Sequence, residues 1–173
     1  MLTLILLRHA KSSWIDARLG DHERQLTKRG TKAASLMGRY IADNNLTPNL
    51  ILCSDATRTR ETLMLVLQGL GSRALQTVIT KDLYLATPDT ISASIARQAG
   101  DARSIMVIGH NPGLHALALS LPVNSTTTDF AELAVKYPTA ALVEISFNIK
   151  AWDAMQPATG TLKRFIVPRS LTP

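Results

Sequence analysis

Four short stretches of this 173-residue chain gather the side chains able to do chemistry. The first, LLRHAKSSW, ends an apolar run on Arg8 and His9, a permanent cation followed by an imidazole whose proton state depends on its surroundings. Alone, the pair reads as a polar strand end facing water; an anion-binding role needs partners elsewhere in the chain. The second stretch, CSDATRTRET, follows the pattern S-x-A-x-R-T-x-x-T through Ser54, Ala56, Arg58, Thr59 and Thr62. A helix starting there offers free backbone N–H groups and the positive end of its dipole, and Arg58 adds a planar fork of donors suited to phosphate oxygens. The plainer alternative is an exposed arginine on an ordinarily capped helix. The third, MVIGHNPGL, runs a strand into a tight turn and is expected to leave His110 exposed at the rim, able to donate to a phosphoryl oxygen or to be held by local hydrogen bonds. His115, one turn on, reads as structural, and His22 has no clear role. The fourth, DHERQLTKRG, contains Leu26-Thr27-x-x-Gly30, a pattern of loop closure and helix entry.

These residues must be positioned by the elements around them. Apolar runs alternate with amphipathic stretches. Strands are expected at Thr3–Leu7, Asn49–Cys53, Gln76–Ile79 and Ser104–Ile108. Helices are expected from Lys28 to about Asp43 behind a Thr27 cap, over Asp55–Gln68, over 88–99 with Pro88 in the first turn, and from Pro112 onward. Ala140–Ile149 and Thr161–Val167 alternate as strands at a sheet edge do, and LPVNSTTTDFAELAVKYP reads as a loop with a short helix. The β-α-β-α order predicts an α/β fold in three layers, α/β/α: a mostly parallel central sheet with helices on both faces. Ligands of such sheets bind beyond the carboxyl ends of the strands, where Arg8, His9, Ser54 and His110 all fall.

Composition narrows the options. Hydrophobic residues make up 46% of the chain and charged residues 18%, which suits one folded domain, 1–173, with a sizeable core. No apolar run reaches the ~18 residues of a membrane span, and Leu2–Leu7 is too short for a signal-peptide core, so a cytoplasmic protein with no membrane partner is expected. The net charge of +6 comes from basic residues scattered in ones and twos, and aromatics are 5%. A nucleic-acid partner is therefore not expected, whereas phosphorylated anions or acidic proteins remain open. The lone Cys53 reads as a small buried hydrophobe, and no spacing of ligands suggests a metal or other cofactor.

Together, RHA at Arg8–Ala10, SDATRTRET and IGHNPG resemble, in order and spacing, the catalytic segments of the histidine phosphatase (phosphoglycerate-mutase-like) superfamily. LLRHAKSSW, LYLATPDT and IGHNPGLHALAL resemble its SixA-type phosphohistidine phosphatase branch. The resemblance implies the phosphoglycerate-mutase-like fold, His9 as the nucleophile, and Arg8, Arg58 and His110 as the phosphate pocket, with Ser12 as a further phosphate contact. Lys11 and Ile15 depart from the mutase pattern and argue against mutase activity. A catalytic acid of many members aligns near Leu85, which carries no proton to give. Asp82 is out of register, and Asp16, Asp21 and Glu23 are the substitutes at hand.

The chemistry so implied is phosphoryl transfer to an unprotonated ring nitrogen of His9, then hydrolysis by water. Neighbouring arginines are expected to lower the His9 pKa, and a backbone carbonyl to fix its tautomer through the other nitrogen. Lacking a dedicated acid, the site suits phosphohistidine on a partner protein, whose imidazole leaves more readily than an alkoxide. A small phosphorylated substrate, served by an acid from the first loop, is the nearest alternative; a phosphate-binding module without catalysis is another.

Overall fold

A computed structural model of the protein describes every residue except 16, 17, 19, 72–74, 124, 125, 172 and 173. Six strands form one sheet in the order β3-β2-β4-β1-β5-β6. They are β1 (Leu2–Arg8), β2 (Leu50–Ser54), β3 (Gln76–Thr80), β4 (Ser104–Gly109), β5 (Leu142–Phe147) and β6 (Gly160–Ile166). The first four run parallel; β5 is antiparallel to β1, and β6 to β5. The helices are α1 (Lys28–Asp43), α2 (Thr57–Gly69), α3 (Pro88–Gln98), α4 (Gly113–Ser120) and α5 (Thr128–Val135). No helix among the described residues is long and apolar enough to cross a membrane.

The period of two along each strand builds both cores. Ile5, Leu7, Ile51, Cys53, Met106 and Ile108 pack on one face with Met37 and Ile41 of α1 and Leu63 and Val66 of α2. Leu4, Leu6, Leu52 and Val107 face the other way, against Ile91 and Ile95 of α3 and Leu114 and Leu117 of α4. Strands covered on both sides must be apolar nearly throughout, which is why they read as continuous runs. Each fully buried Leu or Ile contributes roughly 1.5–3 kcal/mol, and on this footing the fold tolerates buried polar groups at one rim.

That rim is set by register. Arg8 lies opposite Gly109, and Cys53 opposite Ile108, so neighbouring strands β1, β2 and β4 deliver Arg8–His9, Ser54 and His110 side by side. Element ends differ by a few residues from expectation. α2 begins at Thr57 because Ala56 is still extended (φ −61°, ψ 146°). The Thr59 hydroxyl reaches back to the carbonyls of Ser54 and Ala56 and holds that corner. β5 starts at Leu142 because Ala140 turns left-handed (φ 59°) and its N–H donates to the carbonyls of Arg8 and His9. α4 begins one residue after Pro112. The segment expected to be a loop with a short helix contains α5, capped by Thr127. Cys53 is fully buried and its thiol pKa is pushed up to about 12 by burial, so it packs as a hydrophobe.

Helix α1 is anchored to the segment after β1. Thr27 caps the helix by accepting from the Gly30 N–H at 3.0 Å, and its own N–H donates to the Lys11 carbonyl at 2.9 Å. A Cβ on Gly30 would sit 2.2 Å from that carbonyl oxygen. The contact is backbone to backbone and has no side chain that could move aside. Gly30→Ala is expected to lower the unfolding free energy by about 1–3 kcal/mol, read as a lower urea midpoint at unchanged slope.

Candidate active site

His9 follows the last residue of β1, and its imidazole is 7% exposed. Nδ1 lies 2.7 Å from the Ala10 carbonyl oxygen. A carbonyl only accepts, so Nδ1 carries the hydrogen and Nε2 keeps its lone pair. Burial chiefly, then the guanidinium groups of Arg58, Arg8 and Arg24, pull the His9 pKa down to about 4 against the opposing pull of the Ala10 bond. The ring is therefore neutral at pH 7, as a nucleophile requires. The next turn is pinned as well: Ala10 N–H donates to the Thr62 hydroxyl at 3.0 Å, and that hydroxyl donates to the Arg58 carbonyl at 2.6 Å.

Arg8, His9, Ser12, Arg58 and His110 line one cavity of about 300 Å³, with Lys11, Trp14, Asp21, Arg24, Leu85, Asn111 and Thr139 completing its wall. Arg8 is aimed by an Nη1 bond to the Tyr137 carbonyl at 2.8 Å, which also accepts from Asn111 Nδ2 at 3.1 Å. Tyr137 is itself buried and donates its hydroxyl to the Leu6 carbonyl at 2.5 Å. Nε of Arg8 and Nε of Arg58 are buried and have no hydrogen-bond partner among the described residues. Two such donors on one small cavity suit an anion.

His110 lies with its ring centroid 5.2 Å from that of His9. Arg58 Nη2 approaches its Nδ1 at 3.2 Å, and its Nε2 is 2.8 Å from Ser54 Oγ. Guanidinium only donates, so Nδ1 accepts and the proton sits on Nε2, donating to Ser54. Burial first, then Arg58 and His9, take the His110 pKa to about 3. Sequence placed His110 exposed at the rim; it follows β4 at that rim but is 2% exposed, packed under Arg58 and beside Ser54, and both ring nitrogens are engaged within the protein.

Sequence reasoning missed Arg24, Asp21's part and Tyr84. Arg24 donates to Ser12 Oγ, to the Ser13 carbonyl at 3.1 Å and to Asp21 Oδ1 at 2.8 Å, and its guanidinium lies 3.4 Å from the centre of the Trp14 ring. With Ser12 Oγ accepting from Arg24, the hydroxyl hydrogen remains available for an anion. Asp21 Oδ2 accepts from Arg58 Nη2 at 3.0 Å and from the Tyr84 hydroxyl at 2.6 Å. The Tyr84 bond and the two arginines hold the Asp21 carboxyl below the ordinary range despite partial desolvation, which favours its ionised form. Only the ERQLT loop hinted at Arg24, as an isolated arginine ahead of a helix cap.

The other candidates lie apart or are engaged. Asp16 lies outside the described residues. Glu23 accepts from the Gly20 N–H at 3.3 Å, and Asp82 pairs with Arg97 at 2.6 Å. His115 is held by the Leu133 carbonyl at 2.7 Å, a structural role, and His22 contacts Asp55 at 2.9 Å. Leu85 occupies the rim in a left-handed conformation (φ 47°). Among the described residues no group of three His, Cys, Asp or Glu side chains is placed to hold a metal ion.

Residues 4–84 match the histidine phosphatase superfamily (branch 1). An uncharacterised protein of Mycobacterium leprae is 32% identical over 94% of this chain and all of its own length. The chain belongs to the histidine phosphatase superfamily. Two solved structures place this histidine phosphatase with the SixA type. A candidate phosphohistidine phosphatase SixA from Nakamurella multipartitia superposes with a TM-score of 0.82 at 27% identity, covering 96% of each chain. One from Agrobacterium tumefaciens gives 0.79 at 26%, covering 96% of this chain and 98% of the other. The fold expected from sequence, a mostly parallel sheet between helix layers, is that of these proteins.

The two depressed imidazoles tie the histidine phosphatase's stability to pH. Each has a folded pKa below the ordinary 6.5, so as pH falls the unfolded chain takes up protons first. Their contribution is complete above about pH 7 and is lost as pH drops from 6.5 toward about 4 for His9 and about 3 for His110. Urea midpoints measured across that window are expected to decline, and less steeply in His9→Asn, whose amide can keep the bond to the Ala10 carbonyl.

Proposed function

We propose that the 173 residues work as one histidine phosphatase unit in which His9 Nε2 attacks a phosphorus atom and becomes transiently phosphorylated. The observation that carries this reading is the neutral, tautomer-fixed His9 ring on a cavity bordered by three guanidinium groups from separate segments. Phosphoryl transfer needs positioning and charge stabilisation more than covalent machinery. Arg8 and Arg58 supply buried donors that exist before the substrate arrives, and such preorganised donors are worth most in a partly dry site. Arg24 and the Ser12 hydroxyl extend that set. His110 acts first by orienting Arg58. When a phosphate dianion draws Arg58 away, Nδ1 is released, and the added negative charge raises the pKa of the ring and favours its protonation. It can then donate to the transferring group. Water attacks the phosphohistidine on His9 in the second step, splitting one difficult displacement into two.

Phosphohistidine in a partner protein is the substrate we propose. The support is the cavity wall. Its carboxylate among the described residues, Asp21, is held ionised by Tyr84, Arg58 and Arg24, and Leu85 contributes only carbon. General acid help is worth about 100- to 10,000-fold to an alkoxide leaving group; an imidazole leaving group needs far less of it.

Brief exposure to a labelled phosphodonor followed by an alkaline quench, which phosphohistidine survives, is expected to leave label on His9 and none in His9→Ala, which also loses turnover. Arg58→Ala is expected to lower kcat/KM by about 100- to 1,000-fold. Turnover of sugar phosphates far faster than of any phosphohistidine protein would sink the substrate assignment, and label absent from His9 would sink the mechanism.

A further inference from the structure

A second cavity, of about 530 Å³, adjoins the first. Lys11 and Thr139 line both, so the two meet within two residues of His9. Its rim carries Lys11 after β1, Arg29 in the first turn of α1, Lys136 just beyond α5 and Arg169 beyond β6, against one acid, Glu132. All four cations are exposed. They are scattered through the sequence, and the fold brings them to one groove. The floor between them is apolar: Val135 is 85% exposed at the edge, and Phe165 lies beneath.

We infer that this groove takes an acidic stretch of the phosphorylated partner protein, next to its phosphohistidine. The inference rests on the substrate reading above and deepens it. Cations spaced around an apolar floor match a peptide that alternates carboxylate and apolar side chains. A second phosphate on a small molecule would call for donors converging on one point, as the arginines of the first cavity do. A nucleic-acid strand would call for exposed aromatic faces to stack bases, whereas Phe165 is buried. Complementary charge of this kind steers encounter and selects partners. It also places the phosphate of an acidic protein over His9 while leaving phosphohistidine on neutral or basic surfaces poorly held.

The test compares two phosphohistidine peptides that differ only in a flank of three Asp or three Asn. The wild-type protein is expected to favour the Asp peptide by about tenfold in kcat/KM, the size expected of a few partly screened ion pairs. The preference is expected to shrink toward onefold at high salt and in the double variant Arg29→Glu, Lys136→Glu. Equal rates for the two peptides in the wild type, or a preference that persists in the double variant, overturns the groove assignment while leaving the phosphohistidine reading standing. Fluorescence polarisation of the labelled, unphosphorylated Asp peptide separates the other case. Salt-sensitive binding that the double variant loses supports the groove even if neither peptide is turned over, a result that sinks the phosphohistidine reading instead. A stronger dependence on Arg29 and Lys136 for a small bisphosphate than for the Asp peptide overturns the choice of occupant.

Discussion

One carboxylate, that of Asp21, bridges two guanidinium groups beside two uncharged imidazoles, and the rim depends on that balance. Arg58 is 3% exposed and Arg24 8%; cations this far from water persist only with a counter-charge and good hydrogen bonds. Asp21 supplies the charge, and its own ionisation is secured by Tyr84. Two consequences follow from the same arrangement. The arginines are fixed where an anion can meet them, and the histidines are kept neutral because protonating either would add a cation to a crowded, desolvated site.

The second constraint is the sheet. Parallel strands in the order β2-β4-β1 end together, so the His9 imidazole after β1, Ser54 at the end of β2 and the His110 imidazole after β4 reach the same rim without long loops. The antiparallel pair β5-β6 closes the other side, and the chain leading into it supplies the Tyr137 carbonyl that aims Arg8. The long stretch between α4 and β5 therefore aims Arg8 through a backbone atom, and it adds Thr139 to the cavity wall.

This division explains what could be read from sequence and what could not. Strands β1, β2 and β4 showed themselves as apolar runs ending on polar residues, and motifs following those ends placed Arg8, His9, Ser12, Arg58 and His110 together. The helical spacing of Ala33, Ala34, Met37 and Ile41 in α1 and of Leu63, Val66 and Leu67 in α2 was legible too: all are buried except Ala33 and Leu67, which are half-buried. Arg24 and Asp21 were not legible in their roles, because a loop carries no period and the bonds that Asp21 accepts from Arg58 and Tyr84 span up to 63 residues. Tyr137 was hidden for a different reason: its contribution is a carbonyl, which every residue possesses. His110 illustrates a third limit. Its place was predictable, but the occupation of both ring nitrogens depends on distances of a few tenths of an ångström.

Of the chain's two tryptophans, Trp152 is buried and tied by its indole to the Ala102 carbonyl, far along the chain from the site. Trp14 is 70% exposed and lies flat on the Arg24 guanidinium that borders the cavity. Whatever pulls that guanidinium toward an arriving anion also changes the electrostatic surroundings of an indole. The molecule thus carries a built-in optical reporter of occupancy, with a shielded second indole as its internal reference.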